Sequence, residues 1–294
     1  IKNVRSDFYE CTDNLGMYWQ IPNIQAFQSI VPGSIMDFYP TFDSARDVAS
    51  RPDTELYGLR GLLSVKYLFD NPSDNENFID EDGNTKMPGF KYLDTRNGVN
   101  IYEIQYYVPM CFMYNDFISS KEFKDIPTTD RDKALMKAMV LSEKQMKKYS
   151  SITGYKESND ESSYTSSKAD SFTYNESSYK KDCENRKSQS CKNFKYINNG
   201  FTATIDNKGK DNLVFFSVPY EDGWSAYVNG KEVNIEKVNV SFIAVKVDGN
   251  STSEIKFTYK TPGLSAGFAI TLISGVIYIG YIGFLYYRKR KVKK

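Results

Sequence analysis

From Leu264 to Tyr287 the chain runs for 24 residues without a charge, and Arg288-Lys289-Arg290-Lys291 follows at once. As a helix this run is about 36 Å long, enough to cross a hydrocarbon core of about 30 Å. A soluble helix of that length would show a polar face, and this one shows none. The pattern therefore predicts a transmembrane helix over 264–287 and a basic tail over 288–294. Tyr286 and Tyr287 sit where headgroups begin. Six of the seven tail residues are Lys or Arg, which places the tail in the cytoplasm and the bulk of the chain outside it. A cell-wall sorting signal has the same apolar-then-basic order. However, Lys260-Thr261-Pro262-Gly263 lacks Leu-Pro-x-Thr, so the segment reads as a permanent cell-membrane anchor.

Upstream of the anchor the period is two. Phe201–Ile205 alternates apolar with polar, Leu213–Val218 is a buried run closed by Pro219, and Phe242–Val247 and Glu254–Tyr259 follow. Trp224–Val228 and Lys231–Ile235 flank Asn229-Gly230, a strong hairpin signal because both residues tolerate positive φ. Short strands at this spacing predict a β-sandwich over 194–262.

The N-terminal 1–149 reads as a mixed α/β region. Gly58–Phe69 ends in an apolar run expected to be a buried strand, Val99–Tyr107 is a strand stopped by Pro109, and Thr41–Arg51 is a short helix stopped by Pro52. Thr128–Tyr149 reads as one amphipathic helix, with Leu135, Ala138, Met139, Ser142, Met146 and Tyr149 on one face. Residues 150–193 carry twelve serines between Ser150 and Ser190 and read as a linker or edge segment. The aromatics Tyr155, Tyr164, Phe172, Tyr174 and Tyr179 point to edge strands within it. The fold class is thus an α+β extracytoplasmic region with a C-terminal β-sandwich, followed by one transmembrane α-helix.

Composition narrows the chemistry. The net charge is +1, so no basic field points to nucleic acid. The chain has no histidine, which removes Ser-His-Asp and Cys-His machinery and the usual zinc sites. An acidic cluster, Asp80-Glu81-Asp82, is the one place where oxygen ligands gather, and it lacks the EF-hand glutamate at the right distance. It reads as a solvated turn, with no metal expected. Of the four cysteines, Cys183 and Cys191 lie eight apart and form either a disulfide or two free thiols. There is no initiator Met and no signal peptide at Ile1–Arg5. The segment is expected to continue a longer protein that carries the export signal or further spans.

Pro219-Tyr220-Glu221-Asp222-Gly223-Trp224-Ser225-Ala226-Tyr227-Val228-Asn229-Gly230-Lys231 resembles the bacterial YfhO family. Val238-Asn239 before Phe242, Phe257–Leu264 entering the span, Asn14–Trp19 and Leu62–Tyr67 extend the resemblance over nearly the whole chain. Ile104, Cys111 and Ser241 stand where relatives tend to have Asn, Gly and Gly. The resemblance implies a polytopic membrane protein similar to GT-C glycosyltransferases, which would glycosylate a cell-envelope polymer of the lipoteichoic acid type from a polyprenyl-phosphate sugar. This chain would be its extracytoplasmic C-terminal part. Its expected partners are membrane lipid, the glycopolymer and an N-terminal transmembrane core. In GT-C enzymes the catalytic acid lies in the first extracytoplasmic loop, which nothing here matches, so no catalytic residue and no cofactor are expected in this segment.

For sugar contact the sequence offers Trp224, whose face can stack on a sugar ring, with Tyr220, Tyr227 and Asn229 as hydrogen-bonding neighbours. The commoner use of such a tryptophan is core packing, here beside Phe216 and Phe242. Glu221 and Asp222 are the nearest carboxylates, and adjacent residues usually point apart. The alternative to a transferase segment is a membrane-anchored carbohydrate-binding module or adhesin without catalytic activity.

Overall fold

The computed structural model describes residues 4–9, 11–25, 27–44, 50–71, 73, 78–156 and 168–292. The strands in chain order are β1 Arg5–Tyr9, β2 Val65–Asp70, β3 Phe90–Arg96, β4 Val99–Ile104, β5 Cys111–Met113, β6 Asp116–Ser119, β7 Ala138–Leu141 and β8 Lys192–Ile197. They continue with β9 Gly200–Asn207, β10 Asn212–Pro219, β11 Trp224–Val228, β12 Lys231–Val233, β13 Glu236–Val238, β14 Phe242–Val247 and β15 Ser251–Tyr259.

Two sheets form the expected sandwich: β12-β11-β15-β9-β8 and β13-β14-β10-β5. Alternation along β10 explains how the second sheet is used on both faces. Val214 and Phe216 point into the sandwich core with Ile243, Val245, Phe201, Ile255 and Phe257. Leu213 and Phe215 point the other way, with Phe112, Phe242 and Ala244, into a larger core shared with the N-terminal region. β5, from within residues 1–149, pairs antiparallel with β10 through Cys111↔Phe216. The hairpin at Asn229-Gly230 forms as expected, with φ of 50° and 78°.

The N-terminal region holds a third sheet, β1-β2-β4-β3, and the parallel pair β6-β7. Asn239 fastens β7 to the sandwich. Its N–H donates to Val140 O at 3.0 Å, its Oδ1 accepts the Val140 N–H at 2.7 Å, and its Nδ2 donates to Tyr114 Oη at 2.9 Å. Asn239→Ala would leave the buried Val140 N–H without its side-chain acceptor. It should lower stability by about 1–3 kcal/mol in urea unfolding; a loss below about 0.5 kcal/mol would contradict this bonding.

Several expectations change. The helix foreseen over Thr128–Tyr149 is broken: a helix at Arg131–Lys137, strand β7, then a helix at Glu143–Lys148. Ala138–Leu141 is buried at every position, so an extended run beside β6 covers it where one helical face would not. Ser142 and Gln145 form a capping box that restarts the helix. Gly58–Phe69 splits into a helix, Gly58–Leu62, and β2. The edge strands expected among the serines are replaced by a helix, Glu176–Ser188, capped by Asn175; Tyr164 lies outside the described residues. The helix expected over Thr41–Arg51 spans 45–49, also outside them, and Tyr39–Phe42 is a 3-10 turn. Asp80 Oδ1 accepts the N–H groups of Asp82 and Asn84 at 3.1 and 2.8 Å, which makes the acidic loop a self-bonded turn.

The cysteine pairing differs too. Cys191 is bonded to Cys111, 80 residues away, and Cys183 is a buried free thiol. The pairing follows from β5: the N–H of Cys191 donates to Cys111 O at 2.9 Å, so the two chains already run side by side. Burial pushes the Cys183 thiol up to about 12, so it is unreactive near neutral pH. Maleimide at pH 7.5 should label Cys11 and spare the other three; labelling of Cys111 or Cys191 in unreduced protein would overturn the pairing.

The anchor is a helix over Leu264–Val292, exposed along its whole length. No charged group interrupts its first 24 residues, so it is a transmembrane helix by both length and composition.

Candidate functional site: an open sheet face

β11 separates the four residues expected at the sugar site. Ala226 is buried in the sandwich, and side chains alternate along a strand. Trp224 therefore points inward and Tyr227 outward. Trp224 packs edge-on against Phe201, Phe257 and Tyr259, with centroids 5.6, 6.2 and 5.0 Å away. It shares the sandwich core with Phe216 as expected, whereas Phe242 faces the opposite core. Tyr220 packs on the same inner core, and its N–H donates to Ser241 O at 2.7 Å. Asn229 sits in the hairpin turn and is tied to β15, its Oδ1 accepting the Glu254 N–H at 2.8 Å. Glu221 accepts the Tyr259 hydroxyl at 2.8 Å.

Only Tyr227 of the four lies on the open face of the five-stranded sheet. Register builds a row around it. Tyr227 is opposite Lys256, Lys256 is opposite Thr202, and Thr202 is opposite Lys195. Glu232 continues the row on β12. At about 4.8 Å between strands, five positions span about 19 Å. A parallel row places Glu254, Thr204 and Lys192 together. A shallow hollow of about 710 Å³ lies over Tyr227, Lys256, Thr202, Lys195, Glu254 and Thr204, within the size range of ligand sites.

The electrostatics are uneven. Among the described residues Lys192 pairs with Asp206 at 2.6 Å, whereas Lys195 and Lys256 have no ion pair. One aromatic, two threonine hydroxyls, two available ammonium groups and the carboxylates of Glu232 and Glu254 suit an extended polar polymer, with Lys195 and Lys256 as the points where an anionic unit would sit. Sequence reasoning missed Lys195, Thr202 and Lys256, since their alignment depends on the β8-β9-β15-β11 pairing. It could have separated Trp224 from Tyr227, because residues three apart on a strand face opposite ways.

A second hollow, of about 1120 Å³, lies in the N-terminal region between Asp53, Tyr57, Asp130 and Lys133. Its Lys133 is held by neighbouring carboxylates. Lys133 Nζ lies 3.7 Å from Asp130 and 3.2 Å from Asp132, over the Tyr57 ring. Among the described residues no group of three or more His, Cys, Asp or Glu is placed to hold a metal.

The chain matches the family described as bacterial membrane protein YfhO over residues 5–176 and 158–271. It is 34% identical over 73 residues to a protein of Bacillus subtilis (strain 168) described as "Uncharacterized protein YfhO". That stretch is 25% of this chain and 8% of the relative. No solved structure matches. Matches reaching from β1 into the membrane helix, over the sandwich and the sheets packed on it, make this chain a member of the YfhO family of bacterial membrane proteins.

Proposed function

We propose that this chain is the extracytoplasmic C-terminal part of a polytopic membrane glycosyltransferase, and that its open sheet face holds the acceptor. The acceptor is a cell-envelope polymer of the lipoteichoic acid type, and the sugar arrives on polyprenyl phosphate. The transfer chemistry belongs to the rest of the protein. The Tyr227–Lys256–Thr202–Lys195 row carries this reading. A tyrosine face stacks on a sugar or glycerol unit, and unpaired ammonium groups meet phosphodiesters spaced along a chain. Two further observations support it. The Cys111–Cys191 disulfide suits an oxidising compartment, and the basic tail after the anchor suits a cytoplasmic end.

Deleting residues 194–262 would not test this, because Phe215, Phe242 and Ala244 complete the core of the N-terminal region. Tyr227→Ser with Lys256→Glu changes only the open face. In cells, that variant should reach the membrane at normal levels and glycosylate the envelope polymer at least about tenfold less, the value of about 1.4 kcal/mol. Normal glycosylation by a correctly inserted variant would refute the assignment.

A further inference from the structure

Arg5 begins β1 and reaches across to the sandwich. Nη1 donates to Leu63 O at 3.0 Å and to Ser217 Oγ at 2.8 Å, and Nη2 donates to Ser217 O at 2.6 Å. All three acceptors are neutral. Among the described residues Arg5 has no ion pair, and burial pushes its pKa down. Arg5 is half-buried, so its charge is partly withdrawn from water with no anion beside it, an arrangement that a bound anion would relieve.

Arg5 lies in a groove of about 210 Å³ whose wall is mostly apolar: Ile24, Val31, Pro32, Ile35 and Phe242. Beside it, Ile30 is 89% and Met36 42% exposed. The groove opens at one particular end of the sandwich. Pro219, at the end of β10, is opposite Phe242, at the start of β14. Trp224, at the start of β11, is opposite Tyr259, at the end of β15. The N–H of Lys260 donates to Gly223 O at 2.9 Å. Gly223 permits this approach, since a Cβ there would meet Lys260 O at 2.6 Å. From Lys260 to Leu264, where the membrane helix starts, four Cα steps reach at most about 14 Å. This end of the domain is therefore held at the bilayer surface.

We propose that the groove binds the phosphate headgroup of an anionic membrane lipid, with Arg5 as its cation and the Ile24–Val31–Pro32–Ile35–Phe242 wall taking the apolar part. The site fastens the domain to the membrane in one orientation. It does not depend on what the open sheet face binds, and it lies on a different part of the molecule.

The test is amide hydrogen exchange on the full chain in nanodiscs of phosphatidylglycerol or of phosphatidylcholine. Exchange at Gln28–Ile35 should slow about tenfold in phosphatidylglycerol only, in line with one charge-assisted contact. Arg5→Gln should lose the protection. Because Arg5 also ties Leu63 to Ser217 of β10, Val31→Glu serves as a second variant: it sets a negative charge at the groove without touching those hydrogen bonds, and it should lose the protection as well. The readout is local, so lipid attracted by Arg288–Lys291 does not affect it. Equal protection in both lipids would overturn the proposal. So would protection that survives Val31→Glu, or protection in phosphatidylcholine discs produced by millimolar inorganic phosphate, which would assign the groove to a soluble anion.

Discussion

Replacing both Cys111 and Cys191 by alanine should lower the unfolding free energy by about 4 kcal/mol. The bond closes a loop across a separation of 80 residues, and chain entropy for a loop of that size comes to roughly 4–5 kcal/mol. That loop holds much of the packing between the two halves of the fold: β6, β7 and the helix Glu176–Ser188 all lie within it. Both cysteines also belong to the sandwich core, so the loss appears as global unfolding rather than local fraying. Urea titration followed by tryptophan fluorescence, with and without reductant, measures it. Reduced wild type should match the double variant. A reduced protein within about 1 kcal/mol of the oxidised one would contradict the pairing.

Arg60→Met should cost a comparable amount, about 3–5 kcal/mol. Arg60 and Asp7 form an ion pair at 3.0 Å with both side chains fully buried. The guanidinium also donates to the carbonyls of Pro52, Asp53 and Leu56, and Gln25 donates to the other Asp7 oxygen at 2.7 Å. Removing Arg60 leaves Asp7 as a buried carboxylate without its cation. Burial already pushes the Asp7 carboxyl above its ordinary range in spite of Arg60, and without Arg60 it rises further. The folded variant then holds a proton that the unfolded chain releases, so lower pH favours folding. The penalty should shrink as pH falls from 7 towards the ordinary carboxylate value of about 4. Adding Asp7→Leu should recover part of the loss at pH 7. A single variant equally destabilised at pH 5 and pH 7, and not helped by the second change, would contradict this account of the pair.

The sequence made some of this structure legible. The anchor could be read because 24 uncharged residues ending in a basic tail leave few alternatives. The hairpin at Asn229-Gly230 and the alternation of Phe201–Ile205 depend on nearest neighbours, and both are present. The elements that were misread depend on distant contacts. Ala138–Leu141 fits a helical stripe, yet a parallel partner at Asp116–Ser119 makes it a strand. Cys191 has Cys183 nearer in sequence, yet β5 brings Cys111 beside it. Tyr227 was legible as an aromatic near a turn, but the lysines and threonine in its row come from three other strands. Arg5 carries no sequence signal, because its neutral acceptors lie at Leu63 and Ser217. Trp224 packs against Phe201 at the sandwich core, and Asn229 bonds to Glu254 on β15; both positions follow from the strand pairing, which the motif alone does not give.

The open face of the five-stranded sheet is the central claim, and direct binding of poly(glycerol phosphate) to the full chain in neutral detergent tests it. Wild type should bind in low salt and weaken as salt rises. Tyr227→Ser with Lys256→Glu should bind at least about tenfold more weakly, with an unchanged urea midpoint. Binding by that variant equal to wild type would contradict the assignment of the acceptor to this face.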